Sequence, residues 1–313
     1  VANEVNSDLL SSPRRWEHFV GGQVLWEWRQ AARQAAIAAD ISPFEVDWLL
    51  QELAGLDRLA LRLETFKTQA QIPLRCAFTE LNHLWQQRLQ DRVPVQYLVG
   101  VAPWREFLLQ VSPAVLIPRP ETECLIDLAQ QAIATADPTL AIGQWADLGT
   151  GSGAIAIGLA TALPQATIHA VDRSAAALEI ARTNAATYGL GDRIHFYQGD
   201  WFAPIEHLRG NLSGMVANPP YIPSQMVLAL QPEVTQHEPH LALDGGADGL
   251  DCVRQLIALA PDYLRSGGIW LVELMAGQAA IVAQLLDQQS NYTNIQIHPD
   301  LAGIDRFVLA HRS

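Results

Sequence analysis

From residue 144 to residue 274, short apolar runs alternate with stretches rich in helix formers. The runs are QWADLG (144–149), TIHAVD (167–172), RIHFYQGD (193–200), GMVAN (214–218) and GIWLVEL (268–274). Between them lie helical patterns such as AAALEIARTNAATYG (175–189) and LDCVRQLIALAPDYLRSG (250–267). Parallel strands need a long crossover between them, usually a helix, so this alternation predicts an α/β fold with a parallel sheet wound on both faces. The end departs from the pattern. NIQIHPDLAGIDRFVLAHR (294–312) reads as two strands around a short Gly-containing loop, an antiparallel hairpin closing the sheet edge.

Before residue 110 the pattern is helical. LWEWRQAARQAAIAAD (25–40) is built from good helix formers. SPFEVDWLLQELAG (42–55) carries Ser42 as a cap, Pro43 at the first helical position, Glu45 to complete a capping box and Gly55 to close the end. RCAFTELNHLWQQRLQDR (75–92) predicts a third helix.

Charge and cysteine usage narrow the partners. A net charge of −13 over 313 residues argues against a surface that grips phosphate backbone non-specifically, so no direct nucleic-acid contact is expected, although a local basic patch stays open. Cys76, Cys124 and Cys252 are odd in number and widely spaced. They form neither a disulfide framework nor a zinc pattern, which fits a reducing cytosol and no metal site. The start, VANEVNSDLLSSPRRWEHF, has no apolar core of a signal peptide, and no run of ~18 apolar residues predicts a membrane span.

The first sheet strand runs into DLGTGSGA (147–154), which places Gly149, Gly151 and Gly153 between a strand and a helix, with Thr150 and Ser152 interleaved. Glycines there permit a tight turn and close approach of a ligand to the backbone. Gly149-x-Gly151-x-x-Ala154 also satisfies the permissive dinucleotide fingerprint. Asp172 ends the next strand, where a carboxylate can accept from two ribose hydroxyls. QGDW (198–201) ends the third strand, with Trp201 suited to stack on an adenine and Asp200 to accept from an amine. Together these point to an adenosine-containing ligand at the carboxyl edge of the sheet.

The fourth strand runs into Asn218-Pro219-Pro220-Tyr221. Two prolines with fixed φ and no N–H cannot continue a central strand. A planar –NH2 conjugated to a carbonyl or a ring is a poor nucleophile, because its lone pair is delocalised. The Asn218 side-chain oxygen and the next backbone carbonyl are two acceptors able to orient such a nitrogen and steady the charge it gains on attack. The prolines stiffen that backbone, and Tyr221 can wall the planar group. The corner reads as a clamp for an amino or amide nitrogen beside an electrophile.

DLGTGSG, Asp172 and NPPY together resemble the S-adenosylmethionine-dependent amino-methyltransferases of the Rossmann-like class, in which such corners serve both nucleobase amines and side-chain amides. The flanks resemble one family in particular. PVQYLVGVAPWREFLLQVSPAVLIPRPETE (94–123), with Gln96, Tyr97, Gly100 and the run Ile117 to Glu123, is similar to the PrmC/HemK family, as are EPHLALDGGADGLD (238–251) and LAGIDRFVLAHR (301–312). The resemblance implies a Rossmann-like methyltransferase sheet with a C-terminal antiparallel hairpin and a small N-terminal helical domain. Residues 1–92 would dock the substrate, with 1–20 as an extension, residues 93–118 would form a β-hairpin-like bridge, and residues 119–313 the methyltransferase domain. It implies N5-methylation of the glutamine of the Gly-Gly-Gln tip in class I peptide-chain release factors, by a cytoplasmic monomer using S-adenosylmethionine. Carried over by position, Gly149, Thr150, Gly151, Ser152, Gly153, Asp172 and Trp201 would hold the cofactor. Asn218 would touch cofactor and substrate, and Asn218, Pro219, Pro220 and Tyr221 would form the glutamine pocket. Glu273 fits the family, but the stretch VELMAGQ (272–278) departs from its usual Gly-containing turn. Three other readings compete: a nucleic-acid amino-methyltransferase acting on adenine N6 or guanine N2, a nicotinamide dehydrogenase that leaves NPPY unexplained, and a non-catalytic module binding release factor or ribosome.

Overall fold

A computed structural model describes residues 16–313. The part of the 1–20 extension that precedes Trp16 therefore lies outside the described residues. The chain divides into two compact units, one ending at Val101 and the other running from Ala102 to Ser313.

The first unit is mainly helical, with helices Gly22–Ala38, Phe44–Ala54, Arg58–Leu63, Phe78–Gln90 and Val95–Val99. Its buried face gathers Leu25, Leu49, Leu50, Phe66, Leu81 and Trp85. A small antiparallel pair that the sequence did not suggest, β1 (His18–Val20) and β2 (Ile72–Leu74), lies beside them. Gly55 closes the second helix at φ 62° as expected. The capping box does not form. Glu45 instead receives the Arg88 guanidinium at 2.6 and 3.0 Å, since a charged, half-buried fork outcompetes a backbone N–H for the carboxylate. The segment 93–118 is not one hairpin: Val95–Val99 is helical, and only β3 (Val101–Trp104) and β4 (Phe107–Gln110) pair.

The second unit is built on a seven-stranded sheet. Its strands are β5 (Gln144–Leu148), β6 (Thr167–Asp172), β7 (Ile194–Gln198), β8 (Leu212–Ala217), β9 (Leu264–Glu273), β10 (Tyr292–Pro299) and β11 (Asp305–Arg312), in the order β10-β11-β9-β8-β5-β6-β7. The five strands β5 to β9 run parallel, and β10 and β11 form the antiparallel edge hairpin read from the sequence. Strand alternation feeds two cores. Trp145, Val216, Ile269 and Leu271 face helices Cys124–Thr135 and Ala154–Ala162, while Ala146, Leu148, Met215, Trp270 and Val272 face Phe202 and helices Asp251–Leu259 and Ala279–Asp287. The helix expected over 250–267 ends at Leu259. Pro261 removes the donor an α-helix would need there, and β9 already begins at Leu264.

The fold reverses direction between β5 and β8. From β5 the chain passes to β6 and β7 on one side, then returns to β8 on the other. Leu148 stands in register with Val171 on β6 and with Ala217 on β8, and Ala217 with Val272 on β9. The segments that follow these residues therefore emerge side by side at the switch point, where open α/β sheets bind ligands.

Asn184 ties this edge to the end of β4. Its amide donates to the carbonyls of Gln110 and Ser152 and accepts from Gln110 N, at 3.0, 2.9 and 2.7 Å. Asn184→Ala leaves three backbone groups without their partner in a buried place. A loss of about 2–3 kcal/mol is expected, which for a unit of this size lowers the melting midpoint by roughly 5–10 °C; differential scanning calorimetry reads it directly.

Candidate functional site

Two acids from neighbouring strands shape the glycine loop. Asp147, near the end of β5, is wholly buried and accepts from the Thr150 hydroxyl at 2.6 Å and from Ala156 N at 2.9 Å. The carboxylate thus spans the turn from strand to helix. Asp172, at the end of β6, accepts from Gly151 N and Ser174 N, both at 2.9 Å. Between these anchors Gly149, Gly151 and Gly153 adopt φ of 83°, 55° and 84°, which residues with a Cβ reach only with strain.

The loop borders a cavity of about 480 Å³. Gly149, Gly151, Asp172, Trp201, Asn218 and Pro220 all line it. Four strand ends, those of β5, β6, β7 and β8, thereby contribute to one space, as the sequence suggested for these residues. Thr150, Ser152, Gly153, Pro219 and Tyr221 are not in the lining. Thr150 and Ser152 are buried beneath the loop and support it from below. Asp172 holds the loop as well as facing the cavity, so burial raises its carboxyl while the backbone N–H groups of Ser174 and Gly151 pull it back down. Trp201 sits at φ 46°, held by its indole N–H donating to Gln255 at 3.0 Å. Asp200, read as an acceptor for an amine, also lines the cavity and pairs with Arg173 at 2.7 Å.

The corner 218–221 is fastened from several sides. Asn218 Nδ2 donates to Thr122 Oγ1 at 3.1 Å, and the Tyr221 hydroxyl reaches Glu273 Oε1 at 3.5 Å. Burial and the Glu273 charge raise the Tyr221 phenol well above its usual range, so it stays a donor. Gln278, from the stretch that departs from the family pattern, donates to the Tyr221 carbonyl at 2.9 Å. Gly249 presses on the same carbonyl: a Cβ there, at φ 79°, would stand 2.2 Å from the Tyr221 oxygen. Glu238, buried, receives the Arg119 guanidinium at 2.8 Å on both oxygens, joining the segment after the corner to the run 117–123. Asp147, Thr122, Gln278 and Gly249 are residues that sequence reasoning did not single out. Asp147, Thr122 and Gly249 stand inside motifs it quoted, whereas nothing local marks Gln278 as a bolt for a loop 57 residues away.

Residues 123–246 match the family model described as the methyltransferase small domain. The chain is 52% identical over 292 residues to the release factor glutamine methyltransferase of Synechocystis sp., covering 93% of this chain and 97% of the relative. The release factor glutamine methyltransferase of Thermosynechococcus vestitus is 49% identical, with 91% and 96% covered. Among solved structures, the catalytic domain of hMettl16 in complex with the MAT2A 3'UTR hairpin 6 matches with a TM-score of 0.53 at 15% identity, covering 74% of this chain and 80% of that one. At that identity the likeness concerns the fold alone.

Asp147 generates a pH prediction. Burial pushes its carboxyl up to about 7, against the hydrogen bonds from Thr150 and Ala156. An acid whose folded value lies above its unfolded one binds protons more readily when folded. Its contribution is fully present below about 4 and is lost as pH rises through about 7. Asp147→Asn keeps an acceptor without the charge. Relative to wild type, the variant should gain roughly 2–3 kcal/mol between pH 5 and pH 8, measured by urea unfolding at both. A pH-independent difference would show that Asp147 titrates as it does in the unfolded chain.

Proposed function

The chain belongs to the release factor glutamine methyltransferase family, and on that premise we propose that it methylates the side-chain amide nitrogen (N5) of the glutamine in the Gly-Gly-Gln tip of class I peptide-chain release factors, using S-adenosylmethionine. The observation that carries the reading is the meeting of Asn218 with the glycine loop across one cavity. Because the Asn218 nitrogen is already engaged by Thr122, the oxygen is the end left for a substrate nitrogen.

The cavity suits that cofactor. A Cβ added at Gly151 would meet nothing within 4 Å, so the space above the loop is open to a ligand lying against its backbone. Each Asp172 oxygen accepts one backbone N–H and retains a lone pair for a ribose hydroxyl. Trp201 offers a flat wall for an adenine. When bound, S-adenosylmethionine supplies a methyl group on a positively charged sulfur.

The remaining work falls to the corner. Asn218 Oδ1 and the Pro219 carbonyl accept the two hydrogens of the glutamine amide and turn its nitrogen toward the cavity. As that nitrogen gives up its conjugation it gains positive charge, and both hydrogen bonds strengthen. Stabilisation that grows toward the transition state raises the rate rather than the ground-state affinity. Tyr221 flanks the amide, its ring held by Glu273 at the hydroxyl and by Gln278 at the carbonyl. Pro219 and Pro220 bring no competing N–H. The helical residues 1–92 are proposed to dock the rest of the factor, because a tripeptide tip alone offers too little surface to define a substrate. The free thiols of Cys76, Cys124 and Cys252 suit the cytosol, where termination takes place.

Labelled S-adenosylmethionine incubated with whole release factor, a Gly-Gly-Gln peptide or nucleic acid tests the reading. Label should appear on the factor's glutamine, far faster than on the peptide, since remote binding energy positions the reacting group. Label on nucleic acid overturns it. Asn218→Ala should fold normally, keep most cofactor affinity, and lose about 10²- to 10³-fold in single-turnover transfer, the usual effect of removing one preorganised partner.

A further inference from the structure

Glu273 ends β9 beside Asn218, since Ala217 and Val272 are in register. It is 1% exposed, and its Oε2 has no hydrogen-bond partner among the described residues. Thr122, 4% exposed, stands in the short turn Glu121–Glu123 beside both: its hydroxyl favours the ionised form of the Glu273 carboxyl, and its oxygen accepts from Asn218 Nδ2 at 3.1 Å. We propose that Thr122 and Glu273 are positioning residues that set the polarity of the clamp, by forcing the Asn218 amide to present its oxygen, not its nitrogen, to the substrate. The inference rests on the reading of Asn218 as the acceptor for the glutamine amide.

An amide side chain has two ends of nearly the same shape, so its neighbours decide which end points where. A hydroxyl has a single proton to give. An ionised carboxylate only accepts, so Glu273 claims the Thr122 proton. The Thr122 oxygen is then left with lone pairs alone, and only the nitrogen end of Asn218 satisfies it. Asn218 Oδ1 is turned the other way, toward the cavity. A proton on Glu273 reverses every step. The carboxylic acid donates to Thr122, Thr122 turns its own proton to Asn218, and the amide is stable with its –NH2 facing out. Donor then meets donor at the substrate nitrogen.

The surroundings set where this reversal falls. Burial pushes the Glu273 carboxyl up to about 7. The Thr122 hydroxyl, the Arg306 charge and the Tyr221 hydroxyl favour the ionised form, while Glu121 opposes it. Arg306 is shared with Asp300 at 2.7 Å, and the Cys124 thiol also feels the Glu273 charge. Transfer should therefore weaken as pH falls through neutrality.

Single-turnover methyl transfer to whole release factor at saturating cofactor, from pH 6 to 9, tests the relay, with cofactor affinity and melting midpoint measured on each variant. Thr122→Val keeps the shape and removes the hydroxyl. Its rate should fall about ten- to thirtyfold, with cofactor affinity within about threefold of wild type, and Thr122→Ser should restore most of it. Glu273→Gln should be slow and should lack the acidic limb seen in wild type. Adding Thr122→Val to Asn218→Ala should cost nothing further, since the relay acts only through Asn218. A purely structural Thr122 would add its loss in full. Wild-type rates in Thr122→Val, an unchanged acidic limb in Glu273→Gln, or an additive double variant overturns the relay while a crippled Asn218→Ala leaves the clamp standing. Should Glu273→Gln fail to fold, the Thr122 variants and the double variant decide alone. Near-wild-type transfer in Asn218→Ala instead sinks the clamp itself.

Discussion

The second unit is organised around a carboxylate that water does not reach. Asp147 lies at the centre of the sheet and binds both limbs of the turn leaving it, Thr150 on the loop and Ala156 in the first turn of the helix. A helix N-terminus leaves backbone N–H groups without partners and carries partial positive charge, so an acid there is favoured. Through that contact the loop is held open in a left-handed course, and Asp172 from the neighbouring strand then needs to reach only one more N–H. The cavity is what remains above a turn pinned from two adjacent strands. Loss of either pin frees glycines that have large conformational entropy to regain.

The parts of this arrangement encoded by periodicity and by short-range chemistry were legible. Strand–helix alternation gave the parallel sheet, the Gly-containing loop near residue 303 gave the edge hairpin, and Gly149, Asp172 and Asn218 do share one cavity. The errors share one cause. A pattern over ten residues cannot weigh a partner forty residues distant. Glu45 sits where a capping box requires it, yet Arg88 takes it. The pair β1 and β2 joins three-residue strands separated by more than fifty residues, too short to leave an alternation.

The corner shows the same division. Its prolines and its asparagine are written next to one another, so the groups it can offer were visible in the sequence. Its rigidity is not written there. It comes from Gly249, which allows another backbone to lie against the Tyr221 carbonyl, from Gln278, which binds that carbonyl from the turn after β9, and from Thr122 and Glu273 beside Asn218. The stretch 274–278 departs from the family pattern in sequence and still delivers the bolt, because an amide reaching one carbonyl can be supplied from several turn geometries.

A clamp of two acceptors recognises –NH2 on a planar carbon and little else. A side-chain amide and a nucleobase amine look alike to it. Discrimination must then come from surface that only the right substrate reaches. A net charge of −13 works against any polyanion approaching the sheet edge, at a distance where screening by salt is incomplete. A protein tip carries no such penalty. Binding energy from its remote surface can be spent on holding one amide against Asn218, which the tip alone could not achieve. On this view the corner supplies the chemistry, the acidic field excludes the wrong class of substrate, and the surfaces beyond the sheet choose within the right one.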